Sequence, residues 1–251
     1  MKKQILFFFL ITSVLSCNTE DIQPIDYVNP FIGTGGHGHT YPGVSMPFGM
    51  VQLSPDTRLE GWDGCGGYHY TDSIIYGFSH THLSGTGISD YGDVLLMPTT
   101  GEIQLTNGVK LSKENNLQIN QSGYSSKFSH DNEIAQAGYY QVFLDDYKIN
   151  VELTSSIRAG FHRYTFPKEE KANIILDLKH RDKLLDYKIN VVDSQTIIGL
   201  RQSSEWARDQ RIYFTIKFSI PFLETTYNDE KNVVGLSFGK ISGPLEVKAS
   251  I

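Results

Sequence analysis

Apolar and polar residues alternate with a period of two along much of the second half of this chain. Ile212, Phe214, Ile216 and Phe218 alternate with Tyr213, Thr215 and Lys217, and Val151 and Leu153 flank Glu152. Ile157, Ala159 and Phe161 alternate with Arg158 and Gly160, and Leu245, Val247, Ala249 and Ile251 with Glu246, Lys248 and Ser250. Side chains two apart on an extended backbone share a face, so each run predicts a strand with one face in a core. Asn173–Leu178 and Thr196–Leu200 are shorter apolar runs of strand length. Turn-forming residues separate the runs at Asp145–Asp146, Pro167–Glu170, Asn190–Ser194, Asn228–Asn232 and Ser242–Pro244. No long segment carries a helical apolar period with caps at both ends. Many short strands between turns predict an all-β sandwich. The last alternation runs to the final residue, so the chain reads as a piece of a longer protein.

From Tyr27 to Met97 the pattern changes. Glycines are frequent, loops dominate, and Gly49–Ser54 and Asp93–Met97 are the clearest strands. Long loops of this kind are usually functional or disordered. Here Phe31, Tyr41, Phe48, Trp62, Tyr68, Tyr70 and Phe78 argue for ordered loops that build a surface.

The 251 residues suit one large all-β domain or two smaller ones. A balance of 22 basic against 28 acidic residues gives a net charge of −6. No Lys/Arg cluster offsets it, which excludes nucleic acid as a natural partner. Lys2 and Lys3 precede an apolar run, Ile5–Val14, too short to span a bilayer, and the run ends at Val14-Leu15-Ser16-Cys17. The expectation is a lipoprotein signal peptide over 1–16, a lipidated Cys17, a tether over 17–25 and a sandwich domain over 26–251. Such a protein is held on a membrane by its lipid, in the periplasm, at the outer membrane or at the cell surface. With Cys17 lipidated, Cys65 is left without a disulfide partner and reads first as a small buried hydrophobe.

The chemistry-bearing residues gather in three blocks: Gly33–Gly43 (GTGGHGHTYPG), Trp62–Tyr70 (WDGCGGYHY) and Phe78–Gly87 (FSHTHLSGTG). In extended backbone, His37 with His39 and His80 with His82 each offer two imidazoles to one side. Such pairs hold a metal only when a third ligand joins them, which Asp90 or Asp93 could supply. The competing readings are histidines bonded to loop backbone and histidines facing sugar hydroxyls. No metal-ligand set is assigned. Trp62 beside Asp63 suits a sugar, with the ring taking C–H groups and the acid taking hydroxyls; Trp206, with Asp209 nearby, poses the same choice. Asp90 and Asp93 have the residue types of a glycosidase pair, but their spacing fixes neither of the required separations, and turn capping explains them.

Taken together, VNPFIGTGGHGHTYPGVSMPFGMVQLSPDT, GWDGCGGYHY and GFSHTHLSGTGISDYGDVLLMP resemble the N-terminal region of glycoside hydrolase family 92, and WARDQRIYF (Trp206–Phe214) resembles a further block of it. Gly64 and Gly66 depart from that pattern, where larger or polar residues are frequent. The resemblance implies a galactose mutarotase-like supersandwich that completes the active site of a C-terminal (α/α)6 barrel. It implies an inverting, calcium-dependent exo-α-mannosidase, with α-1,2 linkages in mannose-containing glycans as the expected substrate. The general acid, the general base and most calcium ligands belong to the barrel, so no catalytic residue is carried over to this chain, which is expected to be inactive alone. The sugar-contacting set implied here is Trp62 and Asp63, then His37, His39, His80, His82 and Asp90, with Trp206 and Asp209 at the domain interface. Two alternatives stand beside it: a stand-alone mannose-glycan-binding lipoprotein, and a metal-dependent, cupin-like enzyme using the His-x-His pairs.

Overall fold

A computed structural model describes residues 23–111, 117–119 and 123–251. The leader, Cys17 and most of the tether lie outside the described residues; Pro24–Tyr27 forms a short 3-10 turn. No described helix is long and apolar enough to cross a membrane.

Two antiparallel sheets carry the fold. The seven-stranded sheet runs, edge to edge, Val44–Ser45, Gln52–Asp56, Gly77–Ser79, Leu95–Thr100, Ala172–Asp177, Val233–Gly239 and Glu224–Tyr227. The eight-stranded sheet runs Lys183–Asp193, Thr196–Ser204, Gln210–Phe218, Leu245–Ser250, Ala159–Thr165, Ile149–Ser155, Tyr139–Leu144 and Glu133–Gln136. One contiguous apolar core draws on both, with Val142, Val151, Leu153, Ile216 and Val247 from the larger sheet and Leu96, Ile174 and Leu236 from the smaller. Each such side chain taken from water contributes about 1.5–3 kcal/mol. The all-β sandwich read from the alternation is the fold observed.

Ala172–Asp177 is buried at every position. It lies in the middle of its sheet, and its second face is covered as well: Tyr124 donates to Asp177 Oδ2 at 2.6 Å, while Ile103 and Leu105 pack on the core. A strand buried on both faces reads as a continuous apolar run, as Ile174–Leu176 does. Gln210–Phe218 and Leu245–Ser250 show the expected alternation, with Ile212, Phe214, Ile216, Phe218, Leu245, Val247 and Ala249 inward. Ala159–Thr165 corrects the reading: Gly160, His162 and Tyr164 face the core, Phe161 is only partly covered beneath Lys248, and Ile157 lies outside the strand, 56% exposed. Lys183–Asp193, an edge strand, was not foreseen, since charges at Lys183, Asp186 and Lys188 hide its period. Such charges protect an open edge from pairing with other chains.

Candidate functional site

The three glycine-rich blocks meet beside the seven-stranded sheet, because each loop leads into or out of one of its strands. Gly33–Gly43 precedes Val44–Ser45, residues 57–70 follow Gln52–Asp56, and residues 80–94 join Gly77–Ser79 to Leu95–Thr100. Glycine is required where they touch. A Cβ on Gly87 would lie 2.1 Å from the Trp62 ring, and one on Gly38 would lie 2.1 Å from the Gly33 carbonyl oxygen. The Gly85 amide donates to the His39 carbonyl at 2.8 Å.

Trp62 is 63% exposed, and its ring meets the His39 imidazole edge-on at 5.2 Å. At its foot, Asp63 Oδ1 takes hydrogen bonds from His37 Nδ1 at 2.7 Å and His39 Nε2 at 3.1 Å. The bond from His37, followed by that from His39, outweighs partial desolvation and keeps the Asp63 carboxyl below the usual carboxylate range. The structure therefore brings together Trp62, Asp63, His37 and His39.

It separates the other three candidates from that surface. His80 is fully buried: its Nδ1 donates to the Val94 carbonyl at 2.6 Å, and its Nε2 lies 3.0 Å from His162 Nε2. His82 is buried against Asp56, with Nδ1 on the Gln52 carbonyl at 2.7 Å and Nε2 3.2 Å from Asp56 Oδ1. Asp90 is buried and holds the Tyr91 and Ala207 amides at 2.9 and 3.0 Å. These groups fix the loops and are turned away from any ligand in solvent. Asp93 is bound by Thr81, Gln210 and Arg201. Cys65 is buried, as expected, beside the Thr86 carbonyl, and burial raises its thiol.

Trp206 is 64% exposed, and Asp209 is exposed in an ion pair with Arg211 at 2.9 Å. A cleft of about 760 Å³ links the two tryptophan loops, since Gly61, before Trp62, and Glu205, before Trp206, both line it, along with Ser89, His180 and Arg181. A second cleft, about 660 Å³, lies on the outer face of the eight-stranded sheet around Phe161 and Arg163, away from these loops.

Sequence reasoning missed the polar cluster beneath the loops. Asp56, fully buried, faces His82, His180 Nε2 at 3.3 Å and Arg181 at 3.7 Å. Burial alone would raise its carboxyl; the two imidazoles outweigh that and hold it well below the usual range. Arg201, also fully buried, ties Asp93 and Asp182 together and donates to the Leu178 carbonyl at 2.8 Å. One guanidinium between two carboxylates leaves a buried negative charge, and burial pushes Asp182 up to about 6 against the pull of Arg201. Nothing in the local sequence marks these residues, because a core aspartate and a loop aspartate have similar neighbours.

The sequence pattern of the glycosyl hydrolase family 92 N-terminal domain matches residues 27–245. The family GH92 α-mannosidase BT3965 from Bacteroides thetaiotaomicron superimposes with a TM-score of 0.80 at 35% identity, over 90% of this chain and 32% of that one. The family GH92 inverting mannosidase BT2199 from the same organism gives 0.70 at 27% identity, over 90% and 31%. An uncharacterized secreted glycosidase from Arthroderma benhamiae is 32% identical over 142 residues, which are 56% of this chain and 17% of that protein. The chain thus spans about a third of the mannosidases it resembles in structure and a sixth of that secreted relative. With the sandwich, its loops and the match over 27–245 in agreement, the chain belongs to glycoside hydrolase family 92, as the N-terminal domain of that family.

Proposed function

We propose that this domain forms the sugar-facing wall of an inverting exo-α-mannosidase that trims mannose-containing glycans, α-1,2 linkages among them. One observation carries the reading: a mostly exposed indole, next to Gly61 of the cleft wall, has an ionised carboxylate and two imidazoles at its foot. A flat apolar ring takes the C–H face of a pyranose, and the polar groups take its hydroxyls. Trp206 and Asp209, on the loop across the cleft, are the proposed contacts to a catalytic (α/α)6 barrel.

The domain's own carboxylates argue that acid and base come from elsewhere. Inversion needs two carboxyl groups about 6.5–9.5 Å apart, one of them a proton donor. Asp63 is held ionised, and Asp90 and Asp93 are buried on partners. Asp182, raised to about 6, is locked to Arg201. Calcium fits this surface poorly: it prefers six to eight oxygen ligands, whereas the convergent group here offers two nitrogens and one carboxylate. The calcium of the proposed enzyme therefore belongs with the barrel.

Export and a lipid on Cys17 complete the proposal, supported by the leader pattern and by a relative described as secreted. The decisive test is Trp62→Ala in the full-length protein. Loss of stacking on the substrate is expected to lower kcat/KM for α-1,2-mannobiose by about tenfold or more, about 1.4 kcal/mol. Unchanged kinetics would remove the indole from the substrate path.

A further inference from the structure

We propose that His37, His39 and Asp63 form a three-ligand site for a divalent transition-metal ion, with an open coordination position facing solvent beside Trp62. The inference goes beyond the mannosidase reading and does not rest on it.

Three donor atoms, His37 Nδ1, His39 Nε2 and an Asp63 carboxylate oxygen, all lie within 4.8 Å of one another. Among the described residues this is the one group of three or more His, Cys, Asp or Glu side chains that converges so. Metal–ligand bonds of about 2.0–2.2 Å in tetrahedral geometry put neighbouring donors about 3.3 Å apart. The two nitrogen–carboxylate separations, 2.7 and 3.1 Å, are shorter than that, so both pairs open when an ion enters. Both histidines already aim a ring nitrogen at the same carboxylate oxygen. An ion between them replaces two N–H···O bonds with three coordination bonds, and each neutral imidazole shifts its proton from the ligating nitrogen to the other ring nitrogen.

The donor set selects the ion. Two imidazoles and one carboxylate suit zinc, cobalt or nickel and do not suit calcium or magnesium, which take oxygen. The surroundings supply rigidity on one side and access on the other. The His39 imidazole is 6% exposed, with φ of +57°, and is backed by the Trp62 ring. The His37 side chain is 79% exposed, so the position left over points to water. Three protein ligands with a fourth place open is the arrangement of sites that bind an exchangeable water or hydroxyl. His80 and His82, the other His-x-His pair, take no part, since their nitrogens are bound inside the fold.

Calorimetric titration of the tag-free, EDTA-treated full-length protein with Zn²⁺ tests the site, with Co²⁺ absorption as a second readout. One ion per chain with a micromolar or tighter dissociation constant is expected, together with the visible bands of four-coordinate cobalt. His37→Ala and Asp63→Asn should each weaken binding about tenfold or more and change the cobalt spectrum. His37 is too exposed for its loss to unfold the chain, which circular dichroism checks. The proposal falls if no saturable binding occurs below about 1 mM. It falls equally if stoichiometric zinc survives both substitutions unchanged. A Trp62→Ala protein that loses mannoside turnover and still binds zinc separates this site from the sugar contact.

Discussion

His37 and His80 stand in similar glycine-containing tracts, each followed two residues later by a second histidine, yet His37 reaches solvent and His80 is sealed between the sheets. The buried one belongs to a chain with a single consistent proton arrangement. His80 Nδ1–H donates to the Val94 carbonyl, so its Nε2 accepts from His162 Nε2–H, and His162 Nδ1 in turn accepts from the Tyr164 hydroxyl at 2.7 Å. Both rings are neutral, and burial lowers both, His80 to about 4 and His162 well below its ordinary value. The sign follows from proton linkage. Between the ordinary imidazole value near 6.5 and about 4, the unfolded chain binds protons that the folded chain excludes, so stability present above this window is lost as pH falls through it. For His80 the loss is on the order of 3 kcal/mol. Asp182, raised to about 6, binds its proton more readily in the folded state and opposes the trend over the same range. The measurement is therefore differential: urea unfolding at pH 6.5 and 4.5, wild type against His80→Gln/His162→Gln. Wild type should lose about 4 kcal/mol more than the double variant, about 2 from each histidine; equal losses would show that the pair is not the acid-sensitive element. At this scale the sequence named the right residue types and could not sort them, since burial depends on which sheet lies above.

Gly67 shows how the loops are held as elements. It has φ of +78°, and a Cβ there would lie 2.4 Å from Asp56 Oδ1, 2.8 Å from His82 Cδ2 and 2.9 Å from an Arg181 nitrogen. Gly101 has nearly the same backbone, φ of +79°, with nothing within 4 Å of the added atom. Alanine at Gly101 costs only the left-handed conformation, about 1–2 kcal/mol. At Gly67 it must also displace a buried ionic cluster, so Gly67→Ala is expected to cost about 3 kcal/mol or more. Equal shifts in the denaturation midpoint would mean that the cluster yields without penalty. The elements themselves were legible wherever one face met the core and the other met water, as in Gln210–Phe218 and Leu245–Ser250. The reading failed where polar groups point inward, as His162 does, or where an edge strand carries charge along both faces, as Lys183–Asp193 does. The three loop blocks were recognisable by their glycines, of which Gly38, Gly43, Gly67 and Gly87 answer to contacts that no other residue permits. Asp56, His180, Arg181 and Arg201 had no such mark.

At the scale of the molecule, the sandwich is proposed to form one wall of a sugar site and to leave acid and base to the barrel. Trp62 and Trp206 stand on loops that border the same cleft; of the carboxylates beside them, Asp63 is ionised, Asp90 is buried and Asp209 is paired with Arg211. A glycosidic oxygen lying on Trp62 would therefore find hydrogen-bond donors and a flat ring, while Asp182, the cleft-lining carboxyl raised to about 6, is bound to Arg201. Residues 23–251 alone are expected to release no mannose from α-1,2-mannobiose. The proposed full-length mannosidase is expected to lose hydrolysis on treatment with EGTA and regain it with calcium, because calcium takes oxygen ligands and the convergent group on this surface is mostly nitrogen. The two arms fail separately. Turnover by residues 23–251 would place an acid and a base in the sandwich and overturn the division of labour between domains. Full-length activity indifferent to EGTA would leave that division intact and remove calcium from the reaction. Activity lost to EGTA but restored by zinc and not by calcium would move the essential ion to His37, His39 and Asp63.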